Sequence, residues 1–138
     1  MDREVVEQKL ESLRRCLLRI ETKCPSDAAT LAADIDLQDI VSLNLSRAVQ
    51  ISVDIGAHLI AGMEVSPPDS MGQTFDLLAQ EGVLSNELAS SLKKAVGFRN
   101  IAVHNYERIN WDIVHSIVKY YLADFSEFAK IVAMRLEK

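Results

Sequence analysis

Between residues 37 and 63 the chain is apolar almost all the way round a helical turn. Ile40, Val41, Leu43, Leu45, Ala48, Val49, Ile51, Val53, Ile55, Leu59 and Ile60 leave only a narrow polar strip. A helix of this composition has to be enclosed. Nowhere does the chain offer an uninterrupted apolar run long enough to cross a bilayer, so other helices must do the enclosing. An all-α antiparallel bundle built around residues 37–63 is therefore expected.

The flanking segments agree. Val6, Leu10, Leu13, Leu17 and Ile20 recur at three- and four-residue steps, which predicts an amphipathic helix from Arg3 to Cys24 that stops at Pro25. A short turn is expected near Ala28–Ala33, and Asp34 or Asp36 caps the central helix, which runs to about Gly62 with Gly56 inside it. Glu64–Gly72, with Pro67 and Pro68, reads as a loop. A short helix is predicted from Gln73 to Gln80 before Gly82, then one capped by Ser85 and running to Val96, then one capped by Asn110 and running from Trp111 to the end. No strand pair is visible. With 138 residues, one domain spanning 1–138 is long enough to bury a single core.

The first residues carry acid where a signal peptide would carry base, and no apolar segment follows, so a cytoplasmic protein with no membrane association is expected. Cys16 and Cys24 lie eight residues apart on one predicted helix. That is roughly 12 Å at helical rise, too far for a disulfide, and both are expected to be buried as small apolar side chains. They form no metal site with clustered His. The net charge of −5 disfavours a general nucleic-acid binder, but Lys93, Lys94, Arg99 and Arg108 face only Glu107 within residues 93–108. Any polyanion contact belongs there.

On the central helix Arg47, Gln50, Asp54 and His58 line one narrow face. Two readings stand side by side. The strip is an exposed seam with Asp54 and His58 as an ordinary i,i+4 ion pair, or it walls a site and orients a catalytic group elsewhere.

The most informative stretch is Gly97-Phe-Arg99-Asn100-Ile-Ala-Val-His104-Asn105-Tyr106. On a regular helix Arg99 and Tyr106 share a face, and His104 stands about 140° from Arg99. For Arg99 and His104 to converge, the helix must end or bend between them, as a loosened end at Gly97 would allow, or a second copy must supply the missing group. The plain structural reading has Arg99 binding carbonyls at a helix end, His104 satisfied in the interior and Tyr106 packed on Trp111. The chemical reading uses an imidazole to move the proton of an RNA 2′-hydroxyl or of the leaving 5′-oxygen, and a guanidinium to clamp the phosphate. No acidic cluster with metal-ligand spacing is visible, which fits metal-independent cleavage to a 2′,3′-cyclic phosphate, with no cofactor expected.

Arg99-x4-His104-x-Tyr106 resembles the R-x4-H-x-Y motif of HepT toxins, a branch of the HEPN superfamily. The resemblance extends to Asn44–Gln50 and Asp54–Ile60 on the central helix, and to Val96–Asn100 and Ile109–Asp112 around the motif; it covers most of residues 1–136. It implies a homodimer whose two motifs share a cleft, an endoribonuclease acting on cellular RNA, and a small nucleotidyltransferase antitoxin of the MNT type. It further implies that the antitoxin transfers AMP from ATP to Tyr106, which would place charge and bulk beside Arg99 and His104. In that frame Arg99 and His104 are catalytic, and Asn100, Asn105, Asp54 and His58 are supporting candidates. Two other readings remain: a non-catalytic helical subunit that binds nucleotide or a nucleotidyltransferase, and a structural adaptor in which Arg99 and His104 lie buried.

Overall fold

The computed structural model describes residues 2–137, and all its regular elements are helical. Helix α1 spans Arg3–Lys23 and is capped by the Asp2 carboxylate, which accepts from the Val5 N–H. Its buried side chains are Val6, Leu13, Cys16, Leu17 and Ile20, and it stops at Cys24 because the residue before a proline disfavours helical backbone. The short α2, Ala28–Ala33, leads into α3, Ile35–Ala61, through Asp34, whose carboxylate accepts from Leu37 N–H at 3.1 Å. Of the two candidate caps, Asp34 is the one used.

Helix α3 is the centre of the bundle, with α1, α2, α4, α5 and α7 all packed on it. Val41, Leu45, Ala48, Val49, Val53, Ile55, Leu59 and Ile60 are buried on several of its faces, as its all-round apolar composition requires. Helix α4, Met71–Gln80, starts two residues earlier than its sequence suggests because Ser70, not a later residue, caps it through the Gln73 N–H. It approaches α3 closely: a Cβ on Gly56 would lie 2.6 Å from Thr74 Cγ2. Gly82 then ends α4 in the left-handed region (φ 77°), where Val83 N–H bonds to Leu78 O and Gly82 N–H to Ala79 O.

Helix α5 spans Asn86–His104 and corrects the expected stop at Val96. Gly97 does not loosen it. One glycine costs a helix interior only about 1 kcal/mol, and the burial of Ala95, Val96 and Phe98 against the core on both sides of it holds the backbone helical. A 3-10 turn at Tyr106–Arg108 follows, then α6, Trp111–Ser116, and α7, Leu122–Leu136. The last segment is not one unbroken α-helix, as expected, but is interrupted by a π turn at Ile117–Tyr121. Val114 and Leu122 both face the core, yet eight residues of α-helix would leave them about 80° out of phase. The π turn absorbs one residue's rotation, about 100°, and brings the two faces into line.

Candidate functional site

The motif occupies the last two turns of α5 and the turn after it. Because α5 is continuous through His104, Arg99 and His104 project about 140° apart around one helix and do not converge within the protomer. Phe98 is buried and anchors the segment, Arg99 is half-buried, and Asn100, His104 and Asn105 are exposed. Neither Arg99 nor His104 makes an ion pair or a side-chain hydrogen bond among the described residues. An interior histidine and a guanidinium capping carbonyls are therefore both ruled out as the structural account of these two groups. Asn105 ends the helix, with φ −155° and ψ 62°, while its N–H still reaches Ile101 O at 2.8 Å.

Tyr106 opens the 3-10 turn and is the best-held member of the motif. Its ring meets the Trp111 ring edge-on at 5.8 Å between centroids. Its hydroxyl donates to Asp39 Oδ1 of α3 at 2.8 Å, across 67 residues of sequence. Ser42, one turn further along α3, also bears on the phenol. Partial burial, and then the bond to the Asp39 carboxylate, push the phenol above its ordinary pKa, so it stays protonated. Asp39 was not legible as a site residue. An acid in the second turn of a helix reads as a partner of the helix dipole, and nothing local marks its distant neighbour.

The polar strip on α3 turns elsewhere. Asp54 accepts from Gln50 Nε2 at 2.9 Å and stands 3.7 Å from Lys9 Nζ on α1. The charge of Arg47 bears on Cys16, also on α1. Going from Lys9 to Cys16 along α1 descends α3 from Asp54 to Arg47, so the two helices run antiparallel with the strip along their seam. Among the described residues Asp54 makes no ion pair with His58, and neither of them forms a hydrogen bond or ion pair with Arg99 or His104. Asp39 and Asp54 are separated by fifteen positions, about 22 Å along the α3 axis.

Of the basic cluster, Lys93 is held by Asp76 at 2.9 Å. Lys94 and Arg108 stand at an apolar groove of about 420 Å³ between α5, α6, the π turn and α7, beside the motif residue Ile101. Cys16 is buried as expected while Cys24 is only half-buried; both are free, and burial pushes both thiols above their ordinary pKa. Among the described residues no three His, Cys, Asp or Glu side chains group closely enough to hold a metal ion. No helix among them is long and apolar enough to cross a membrane.

A bundle folded around one enclosed helix, with an unpaired guanidinium and imidazole on an open helix end, has the architecture of the small all-helical HEPN proteins. The chain belongs to the HepT-like ribonuclease family, whose model matches residues 7–132. It is 36% identical over 129 residues to the mRNA nuclease HepT of Shewanella oneidensis, covering 94% of this chain and 96% of that protein. A putative RNase of Archaeoglobus fulgidus is 33% identical over 98 residues, 71% of this chain and 74% of its own. Among solved structures, the tri-AMPylated HEPN toxin of Shewanella oneidensis in complex with its MNT antitoxin superposes with a TM-score of 0.89 at 36% identity, covering 97% of this chain and 99% of that one.

Proposed function

We propose that this chain is the toxin of a toxin–antitoxin pair: a metal-independent endoribonuclease that uses Arg99 and His104, silenced when an MNT-type nucleotidyltransferase transfers AMP to Tyr106. The observation that carries the reading is the state of the two charged groups. Among the described residues, an arginine and a histidine at the end of a well-packed helix make no ion pair or side-chain hydrogen bond, which leaves both groups for a phosphodiester.

The chemistry follows from those groups. His104 takes the proton of the 2′-hydroxyl as that oxygen attacks the adjacent phosphorus, and the bond to the 5′-oxygen breaks. The 5′-oxygen leaves with a proton given back by the imidazolium of His104 or by water, and the product carries a 2′,3′-cyclic phosphate. Arg99 binds the non-bridging oxygens and offsets the charge that builds on them in the transition state. Asn100 and Asn105, both exposed, are available to hold the RNA backbone.

Since Arg99 and His104 diverge on one unbroken helix, the reading requires a homodimer in which the two α5 ends face a common cleft. The apolar groove beside the motif supports this, with Ile101, Ile113 and Tyr121 each about half exposed at its margin. A face of that kind is suited to burial against a second copy. The same reading puts the chain in the cytoplasm with cellular RNA and ATP. AMP units on Tyr106 would bring phosphate charge and bulk to the chain segment that holds Arg99 and His104, and would compete with RNA for the guanidinium.

The test is expression without the nucleotidyltransferase of its own locus. Growth arrest with cleavage of purified RNA is expected, both lost in His104→Ala with the dimer intact. Arrest by wild type and His104→Ala alike removes the nuclease mechanism. No arrest, together with nucleotide binding, identifies a non-catalytic subunit instead. With the nucleotidyltransferase and ATP, intact mass rises in AMP-sized steps in wild type and not in Tyr106→Phe.

A further inference from the structure

The geometry points to Asp39 as a catalytic residue of Tyr106 modification: it fixes the phenol and takes its proton as the nucleotidyl group is transferred. This rests on the reading that Tyr106 is the acceptor.

A carboxylate can only accept, so in the 2.8 Å contact the phenol is the donor and its proton lies on the line to Asp39 Oδ1. Ser42, also on α3, bears on Oη in the opposite sense and favours the ionised form. The ring cannot swing freely, because Trp111 packs on it from α6 while Asp39 holds the hydroxyl from α3. Two separate elements thus fix one side chain that is still 40% exposed. Fixing a reactive oxygen while leaving it open to solvent is what in-line attack on a phosphorus requires.

A protonated phenol is a weak nucleophile, and this one is held protonated by its surroundings, so attack needs a base within hydrogen-bond reach. The groups that bear on the phenol are Asp39 and Ser42 of α3 and Trp111 of α6; its chain neighbours in the turn are Glu107 and Arg108, with His104 just before it. Only Asp39 is an ionisable group bonded to the hydroxyl. In the step, Tyr106 Oη forms a bond to the α-phosphorus of a nucleoside triphosphate bound by the transferase. The bond from that phosphorus to the β-phosphate oxygen breaks, pyrophosphate leaves with its electron pair, and the phenolic proton moves to Asp39. Asp39 has no role as a cap, since Asp34 performs that task for α3 and Asp39 is exposed. Its substitution therefore reports on the phenol and not on folding.

The experiment follows the first AMP added to wild type, Asp39→Asn and Asp39→Glu by intact mass, with the nucleotidyltransferase of the same locus, ATP and magnesium, across the neutral pH range. Asparagine keeps the acceptor oxygen and cannot take the proton. Asp39→Asn is expected to slow the first addition about 100-fold near neutrality with the KM for ATP unchanged. Its rate is expected to climb about tenfold per pH unit as the phenolate fraction grows, while wild type stays nearly flat. Asp39→Glu restores much of the rate. Equal rates and pH profiles in wild type and Asp39→Asn overturn the role of Asp39 and leave Tyr106 modification standing. A raised KM alone assigns Asp39 to docking and also overturns it. If wild type gains no AMP, the acceptor reading fails and this inference falls with it.

Discussion

Two sets of polar side chains on the helices of the bundle met very different fates. On α3, Arg47, Gln50 and Asp54 run along the seam with α1, and Asp54 is satisfied by Gln50 within its helix and Lys9 across the seam. On α5, Arg99 and His104 have no such partners, and the helix carries them out to an exposed end. The first set lies mid-helix on an element enclosed by five others, and there Asp54 is paired, while Arg47, exposed on the same strip, makes no ion pair among the described residues. The second lies where the chain leaves the core, and there charge can stand free without penalty. Spacing puts the α3 residues on one face and Arg99 and His104 about 140° apart, but only position in the bundle tells which charges find a partner.

That contrast can be broken most sharply from the α5 side. Arg99→Lys keeps the charge and loses the planar fork, and is expected to lower RNA cleavage on the order of 100-fold with the melting temperature unchanged. A matching loss of melting temperature would make Arg99 a structural group. On the enclosed side, Gly56→Ala puts a methyl into Thr74, which is buried and β-branched. The gain in helix propensity is outweighed, and a net loss of about 1–2 kcal/mol in urea unfolding is expected with cleavage intact. Asp54→Asn removes a partly exposed ion pair and is expected to cost less than about 1 kcal/mol, with no change in cleavage. Cleavage that collapses in a stable Asp54→Asn would return Asp54 to the site and erase the contrast.

The smallest effect concerns pH. Folding raises the Tyr106 pKa, so the folded state holds that proton more tightly than the unfolded chain. The stabilisation is complete below the unfolded value of about 10 and is lost as pH rises through the folded value. The difference in urea midpoint between wild type and Tyr106→Phe is therefore expected to shrink between neutral and strongly alkaline pH. A difference that grows would mean that Asp39 does not hold the protonated phenol.

The enclosed α3 was readable because burial on all sides leaves a compositional mark along every turn. The motif was readable because its residue types and spacing sit within one short segment. What escaped the sequence was decided between elements. Gly97 looks like a helix end until Phe98 is seen buried beside it, and the i,i+4 spacing of Asp54 and His58 hides a better partner, Lys9, on another helix. Asp39 and Tyr106 lie 67 residues apart, and only the antiparallel return of α5 along α3 makes them neighbours. The expectation that Tyr106 packs on Trp111 held because the two are close in sequence.

The π turn at Ile117–Tyr121 has a consequence for chain length. It stores one residue more than the two core faces on either side of it need, so α6 and α7 would stay in register if that residue were gone. Deleting one position there is expected to straighten the segment and leave Val114 and Leu122 facing inward. What changes is the wall of the groove to which Ile117 and Tyr121 contribute. Length variation, ordinarily confined to loops, is thus tolerated in mid-helix at this point, and it is a means of reshaping the surface beside the motif without disturbing the core.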